Sequence, residues 1–157
     1  MNREQLTDGW GYAEDFVVGD RWRHSRGKTI TDFETQTLSL LVMNTSQGHF
    51  NADWTSSWEF GPVPLTFGGI VASIVIGLAS EDTAEHAVRE LGMEKIVFPA
   101  RTVSGDTLYA ATEVLDVTGD DNADAAVVRF RHFGFNQREE TVCEIERSVL
   151  IRRRPGT

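Results

Sequence analysis

The stretch Gly68-Gly69-Ile70-Val71-Ala72-Ser73-Ile74-Val75-Ile76-Gly77-Leu78-Ala79 limits what this chain can fold into more than any other. From Ile70 to Ala79 it is apolar nearly all round. It is only about half of the ~20 residues that a bilayer-crossing helix needs. A helix without a polar face has to be enclosed by its surroundings rather than laid on a surface. The remainder of the chain must therefore wrap one short apolar helix.

The downstream sequence supplies that wrapping. Extended segments are expected at 94–98, 107–117, 125–135 and 141–152, separated by Ser104-Gly105-Asp106, Gly119-Asp120-Asp121-Asn122 and Asn136-Gln137. In the last segment Cys143, Ile145, Val149 and Ile151 share one face, and Glu144, Glu146 and Ser148 share the other. That alternation predicts an antiparallel sheet with one wet face.

Upstream, residues 16–30 include a first extended segment, with Phe16-Val17-Val18 ahead of the turn-like Gly19-Asp20. Thr31 and Glu34 match a capping box, which starts a helix expected from Asp32 to Asn44. At 100° per residue Phe33, Thr37, Leu40, Leu41 and Asn44 fall on one side, an apolar stripe that ends in an amide. Residues 45–67, with Gly48, Gly61, Pro62 and Pro64, read as a long excursion holding one short helix around Asp53 to Trp58. The fold class is α+β: an antiparallel sheet around one long apolar helix, the arrangement called a hot dog.

No repeat, low-complexity tract or linker divides the 157 residues, which fit one domain across 1–157. A net charge of -9 opposes nucleic acid as a partner. The one basic run, Arg152-Arg153-Arg154, reads as a solvated tail more readily than as an anion site. Cys143 is the only cysteine, so no internal disulfide and no cysteine-rich metal site is expected. Met1 to Gly11 lacks the basic and apolar regions of a secretory signal, and a cytoplasmic location is the expectation. His24, His86 and His132 lack metal-ligand spacing, and neither GxxxxGK, GxGxxG nor GxSxG occurs. Neither a metal nor a nucleotide cofactor is indicated.

Four stretches carry a family resemblance: Glu14-Asp15-Phe16-Val17-Val18-Gly19-Asp20, Asn44-Thr45-Ser46-Gln47-Gly48-His49-Phe50-Asn51, Phe60 to Gly69, and Val103-Ser104-Gly105-Asp106-Thr107-Leu108. In this order and spacing the chain resembles the MaoC-like dehydratases and R-specific enoyl-CoA hydratases. The resemblance implies a homodimer and an acyl thioester substrate, carried by coenzyme A or an acyl carrier protein. It also implies a catalytic Asp with a His five residues later. Here those positions hold Asn44 and His49. An amide accepts no proton at neutral pH, though it orients water or a substrate oxygen. The match is therefore to a subgroup with Asn in place of Asp, and His49 would serve as both base and acid.

Gly68 matches the family's glycine at the start of the central helix. Without a Cβ it lets a thioester carbonyl approach free N–H groups that stabilise an enolate-like oxygen. Phe67 stands where many members have His and implies a larger apolar wall, and Gly69 and Phe50 complete the implied substrate-binding set. Glu34 and Asp53, the nearby carboxylates, read as a capping partner and a helix-start residue.

The expected reaction is hydration of an enoyl thioester or dehydration of a 3-hydroxyacyl thioester. Two other readings stay open. A thioesterase would need a carboxylate on or near the central helix, and residues 70–79 contain none. A non-catalytic thioester-binding subunit would account for Asn44.

Overall fold

The computed structural model describes residues 10–59, 61–119 and 124–156. Its elements run from a 3-10 turn at Ala13–Asp15 through β1 (Arg21–Thr29), α1 (Asp32–Leu41), a second 3-10 turn at Gln47–His49 and α2 (Ala52–Thr55) to the central helix α3 (Gly68–Thr83). β2 (Ala87–Val97), β3 (Thr107–Gly119), β4 (Ala125–Phe135) and β5 (Thr141–Arg152) follow. The strands form one antiparallel sheet in the order β1-β3-β4-β5-β2. Each of the four C-terminal strands pairs as an expected segment should, and this is the hot dog arrangement.

The inward side of α3 supplies Ile70, Val71, Ala72, Val75, Ala79 and Thr83, all buried. Val71, Ala72 and Val75 join Leu108, Ala110, Val142, Cys143 and Ile145 in one apolar cluster, while Phe16, Val114, Val128, Phe130, Val149 and Ile151 form a second. The helix is enclosed on one side only. Ser73 and Gly77 are exposed, and Ile74, Ile76 and Leu78 are only partly buried. One five-stranded sheet has a single inner face, so it covers a single face of the helix.

The first strand, Arg21–Thr29, does fall within the expected 16–30, with Phe16 buried in the core ahead of a turn in which the Asp20 N–H donates to the Val17 carbonyl. Several other expectations are corrected. β2 starts seven residues before the expected 94, and all of its residues are exposed. A strand that is wet on both faces shows no alternation to read. The capping box does start α1, but the helix stops at Leu41 rather than Asn44. Met43 takes the left-handed conformation at φ 57°. Its N–H donates to Leu40 O at 3.0 Å and the Asn44 N–H to Ser39 O at 2.9 Å. Those two bonds are a Schellman stop, with Met43 in the place usually held by glycine.

The apolar stripe of α1 faces outward: Phe33 is 74% and Leu41 71% exposed, while Thr35 and Ser39 are buried. The inward side is polar but satisfied, with Ser39 Oγ donating to Thr35 O at 2.7 Å and the Thr35 and Thr66 hydroxyls 3.1 Å apart. On the wet face of β5, Glu146 is buried among three cations, Lys95 at 2.9 Å, Arg129 at 3.0 Å and Arg131 at 2.7 Å. Hydrogen bonds from Arg131 and Lys95 hold its carboxyl down at about 2.

The run Arg152-Arg153-Arg154 is no solvated tail. Arg152 ends β5, Arg153 pairs with Glu14 at 3.1 Å, and Arg154 pairs with Asp15 at 2.6 Å. Phe60, the Asp120-Asp121-Asn122 part of one expected turn, and residues 1–9 of the expected leaderless start lie outside the described residues. No described helix is long and apolar enough to cross a membrane.

Candidate active site

The stop after α1 sends the chain through Asn44 into the turn that carries His49. Asn44 is half-buried and its Oδ1 accepts the Ser46 N–H at 3.0 Å. The carbonyl of the same Ser46 accepts the His49 N–H at 3.1 Å. Ser46 thus ties the amide of Asn44, through its N–H, to the backbone of His49, through its carbonyl. Oδ1 spends one lone pair on the loop, and Nδ2 remains as a donor.

His49 is half-buried and clamped against the segment leading into α3. The Leu65 N–H donates to Gly48 O at 2.9 Å, and His49 Nδ1 lies 2.8 Å from Leu65 O. A carbonyl oxygen only accepts, so Nδ1 carries the proton. In the neutral ring Nε2 is then an unprotonated base. Leu65 is pinned in turn by a bridge to Val103, and the Thr66 N–H donates to Thr102 O at 2.8 Å.

Phe67 follows, with its ring centroid 5.6 Å from that of His49, and it is the N-cap of α3 without any side-chain cap. The first backbone bonds to the Phe67 carbonyl come from Ile70 at 2.9 Å and Val71 at 3.1 Å. The N–H groups of Gly68 and Gly69 therefore have no partner among the described residues. They stand at the positive end of a 16-residue helix. A Cβ on Gly68 would come within 2.9 Å of the Phe98 ring and one on Gly69 within 2.6 Å of the Phe67 ring, so a side chain at either position would require a ring to shift.

The structure thus gathers His49, Phe67, Gly68 and Gly69 around the start of α3, with Asn44 linked through Ser46. Phe50 closes the 3-10 turn and is half-buried. Glu34 is engaged elsewhere. It accepts from the Thr31 N–H and hydroxyl, both at 2.9 Å, and pairs with Lys28 at 2.6 Å. The Lys28 ammonium, then the Thr31 bonds, hold its carboxyl at about 2. Asp53 is exposed in the first turn of α2.

Leu65, Ser46 and Phe98 belong to the site and were not expected. The first two act through their peptide groups, which carry no side-chain signature. Phe98 belongs to an exposed apolar run whose proximity to Gly68 is set by the fold. Among the described residues no group of three His, Cys, Asp or Glu is placed to hold a metal ion. The arrangement offers a base, hydrogen-bond donors for a developing oxyanion and an apolar wall.

The model of the mesaconyl-CoA hydratase family matches residues 4–153. The chain is 32% identical over 133 residues to a mesaconyl-CoA hydratase of Haloarcula marismortui, covering 84% of this chain and 36% of that protein. It spans about a third of the length of that curated relative. A MaoC-like dehydratase from Rhodospirillum rubrum superposes with a TM-score of 0.79 at 25% identity, covering 92% of this chain and 98% of that one. A Mycobacterium tuberculosis protein with a double hot dog fold gives 0.84 at 20% identity, covering 95% of this chain and 46% of that one. With the family model spanning nearly all of the described fold, the chain belongs to the mesaconyl-CoA hydratase family of MaoC-like hot dog proteins.

Proposed function

We propose that this chain is a hydro-lyase that adds water to, or removes it from, a coenzyme A thioester of an unsaturated or 3-hydroxy dicarboxylic acid. The observation that carries the reading is the Nδ1–H of His49 bonded to Leu65 O beside the uncapped start of α3. His49 Nε2 takes a proton from water as the hydroxyl adds to the β-carbon. The Gly68 and Gly69 N–H groups hold the thioester oxygen as enolate charge develops, and His49 returns the proton to the α-carbon. The Haloarcula relative is named for mesaconyl-CoA, the thioester of a dicarboxylic acid. Such a substrate retains a carboxylate, which an Asp at position 44 would repel and which the Nδ2 donor of Asn44 suits. Phe67 and Phe50 line the acyl group.

The chain acts as one hot dog unit over 1–157, in the cytoplasm, as a homodimer. Two unfinished surfaces support the pairing: the exposed edge β2 and the uncovered side of α3. The double hot dog neighbour, of which this chain matches about half, joins two such units in one chain. A carrier-protein substrate remains an alternative donor of the thioester.

Incubating the protein with mesaconyl-CoA and with plain enoyl-CoA thioesters, while following loss of conjugation and release of free thiol, tests the function. Loss of conjugation without thiol, fastest with mesaconyl-CoA, is expected. Thiol release would make it a thioesterase. The non-catalytic reading is favoured by Asn44 alone, and it requires tight binding with neither change.

A further inference from the structure

Gly48 is buried in the 3-10 turn that carries His49, and an aromatic edge lies against it. A Cβ placed on Gly48 would meet three atoms of the six-membered ring of Trp58: Cη2 at 2.5 Å, Cζ2 at 3.2 Å and Cζ3 at 3.6 Å. Its φ is not in the left-handed region, so the backbone does not demand glycine here. The missing side chain is a matter of room, and Trp58 takes up the room.

Trp58 is brought over the turn by its own loop. Asn51 Oδ1 accepts the Trp54 N–H at 3.1 Å to start α2, and the fully buried Thr55 donates its hydroxyl to Pro62 O at 3.0 Å. Within that closure the Trp58 N–H donates to Thr55 O and the Gly61 N–H to Trp58 O, both at 3.0 Å. Gly61 makes the return at φ 99°. The two tryptophans of the loop differ in consequence: Trp54 is 56% exposed, whereas Trp58 is half-buried with its ring on Gly48.

From this contact the path to the base is short. Leu65 bonds to both residues beside it, its N–H donating to Gly48 O at 2.9 Å and its carbonyl accepting from His49 Nδ1 at 2.8 Å. A turn that moved at Gly48 would carry the first bond with it and misplace the second. The second bond keeps the proton on Nδ1 and leaves Nε2 as the base.

We propose that Trp58 is a positioning residue for His49: its ring packs on Gly48, holds the turn against Leu65 and so keeps the imidazole in the Nδ1–H tautomer. Trp58 acts through the turn and not on the substrate. This rests on the reading of His49 as the acid–base group.

Two small substitutions on opposite sides of the contact test the assignment. Phe lacks the indole atoms that meet Gly48, so Trp58→Phe opens a gap, while Gly48→Ala pushes a methyl group into the ring. Each alone should lower kcat about tenfold with KM changed less than about twofold, since a misplacement of ~1 Å can cost ~10² in rate. Combined, they refill the space, and kcat should return to within about threefold of the wild type, where independent losses would multiply to about a hundredfold. Nitrogen-15 NMR of the neutral His49 ring adds a readout that a merely structural role would not move. One nitrogen should hold the proton in the wild type and the double variant, and each single variant should show a mixture of tautomers. Losses that multiply, or a single unchanged tautomer in both single variants, would overturn the assignment. If Gly48→Ala does not fold, Trp58→Phe decides by the same ring signals. Should no enoyl thioester react at all, the hydro-lyase reading fails while those signals still decide the role of Trp58.

Discussion

The two edges of the sheet are built to opposite rules. β1 carries Arg21, Arg23, Arg26 and Lys28, each paired with a carboxylate of the same chain: Glu113, Glu139, Glu81 and Glu34. Its one buried polar side chain, His24, is bonded at both ring nitrogens, to Asp82 at 2.6 Å and Thr112 at 2.7 Å. β2 instead leaves Val88, Leu91, Met93, Ile96 and Val97 between 39% and 49% exposed. Cations on an edge deter another strand, whereas a long apolar edge invites one. The β1 side is complete within the chain, whereas the β2 side is left open, as the proposed pairing of two copies requires.

The sharpest way to break this contrast is to give β2 the character of β1. Leu91→Lys with Met93→Lys should leave the fold intact but convert the dimer to a monomer in light scattering, and activity should go with it. Arg26→Glu on β1 should leave the dimer as it is. A dimeric double variant would show that the copies meet elsewhere.

His49→Ala comes next in size. Loss of acid–base assistance should cost roughly 10²–10⁴ in kcat without altering the dimer or the unfolding midpoint. Unchanged turnover on the best thioester would remove His49 from the mechanism.

Asn44→Asp is expected to lower kcat/KM by about tenfold, on the order of one lost hydrogen bond to a charged group plus a new repulsion. The fall should be steeper for mesaconyl-CoA than for an enoyl-CoA without a second carboxylate. A large gain would mean that the site lacks a base and that the chain is a binding module.

The contrast between the edges also explains what was legible. β4 and β5 match their expected bounds, Ala125–Phe135 and Thr141–Arg152, because each is interior and alternates cleanly. β2 was seen only in part, since an edge awaiting a partner has no wet and dry face within one chain. The outward stripe of α1 misled for a related reason: periodicity finds an apolar face but not what covers it. The candidates His49 and Gly68 come from the spacing of a family pattern, while Leu65 O, which sets the tautomer of His49, has no signature in the sequence.

On the complete side, the effects are on stability alone. Thr112 Oγ1 lies 2.7 Å from His24 Nε2 and 2.8 Å from His132 Nδ1, linking two buried rings between β1, β3 and β4. Thr112→Val should cost ~1–3 kcal/mol in urea unfolding, the penalty of stranding buried polar groups. Burial, then the charge of Arg147, pushes His132 down to about 3, so its folded form stays neutral. The unfolded ring takes up a proton near ~6.5, which means this contribution is full above that pH and shrinks as pH falls from there toward 3. A His132→Phe variant should show a flatter stability curve across that window.

The smallest effect belongs to Glu34, which closes the start of α1 onto β1 through Lys28. Glu34→Gln keeps an acceptor for the Thr31 N–H, and Gln also serves in a capping box. Only the ion pair is lost. The Lys28 side chain is 45% exposed, so water screens the pair and the expected cost is ~0.5–1 kcal/mol at neutral pH. The folded carboxyl titrates at about 2 against an ordinary value of 4.5. Its contribution is therefore present above 4.5 and lost as pH falls through about 2. The unfolding midpoints of the wild type and Glu34→Gln should differ at pH 7 and converge on acidification across that window, with dimerisation and turnover unaffected. A gap that persists undiminished at the acid end would mean that Glu34 supports the helix through its capping geometry rather than through its charge.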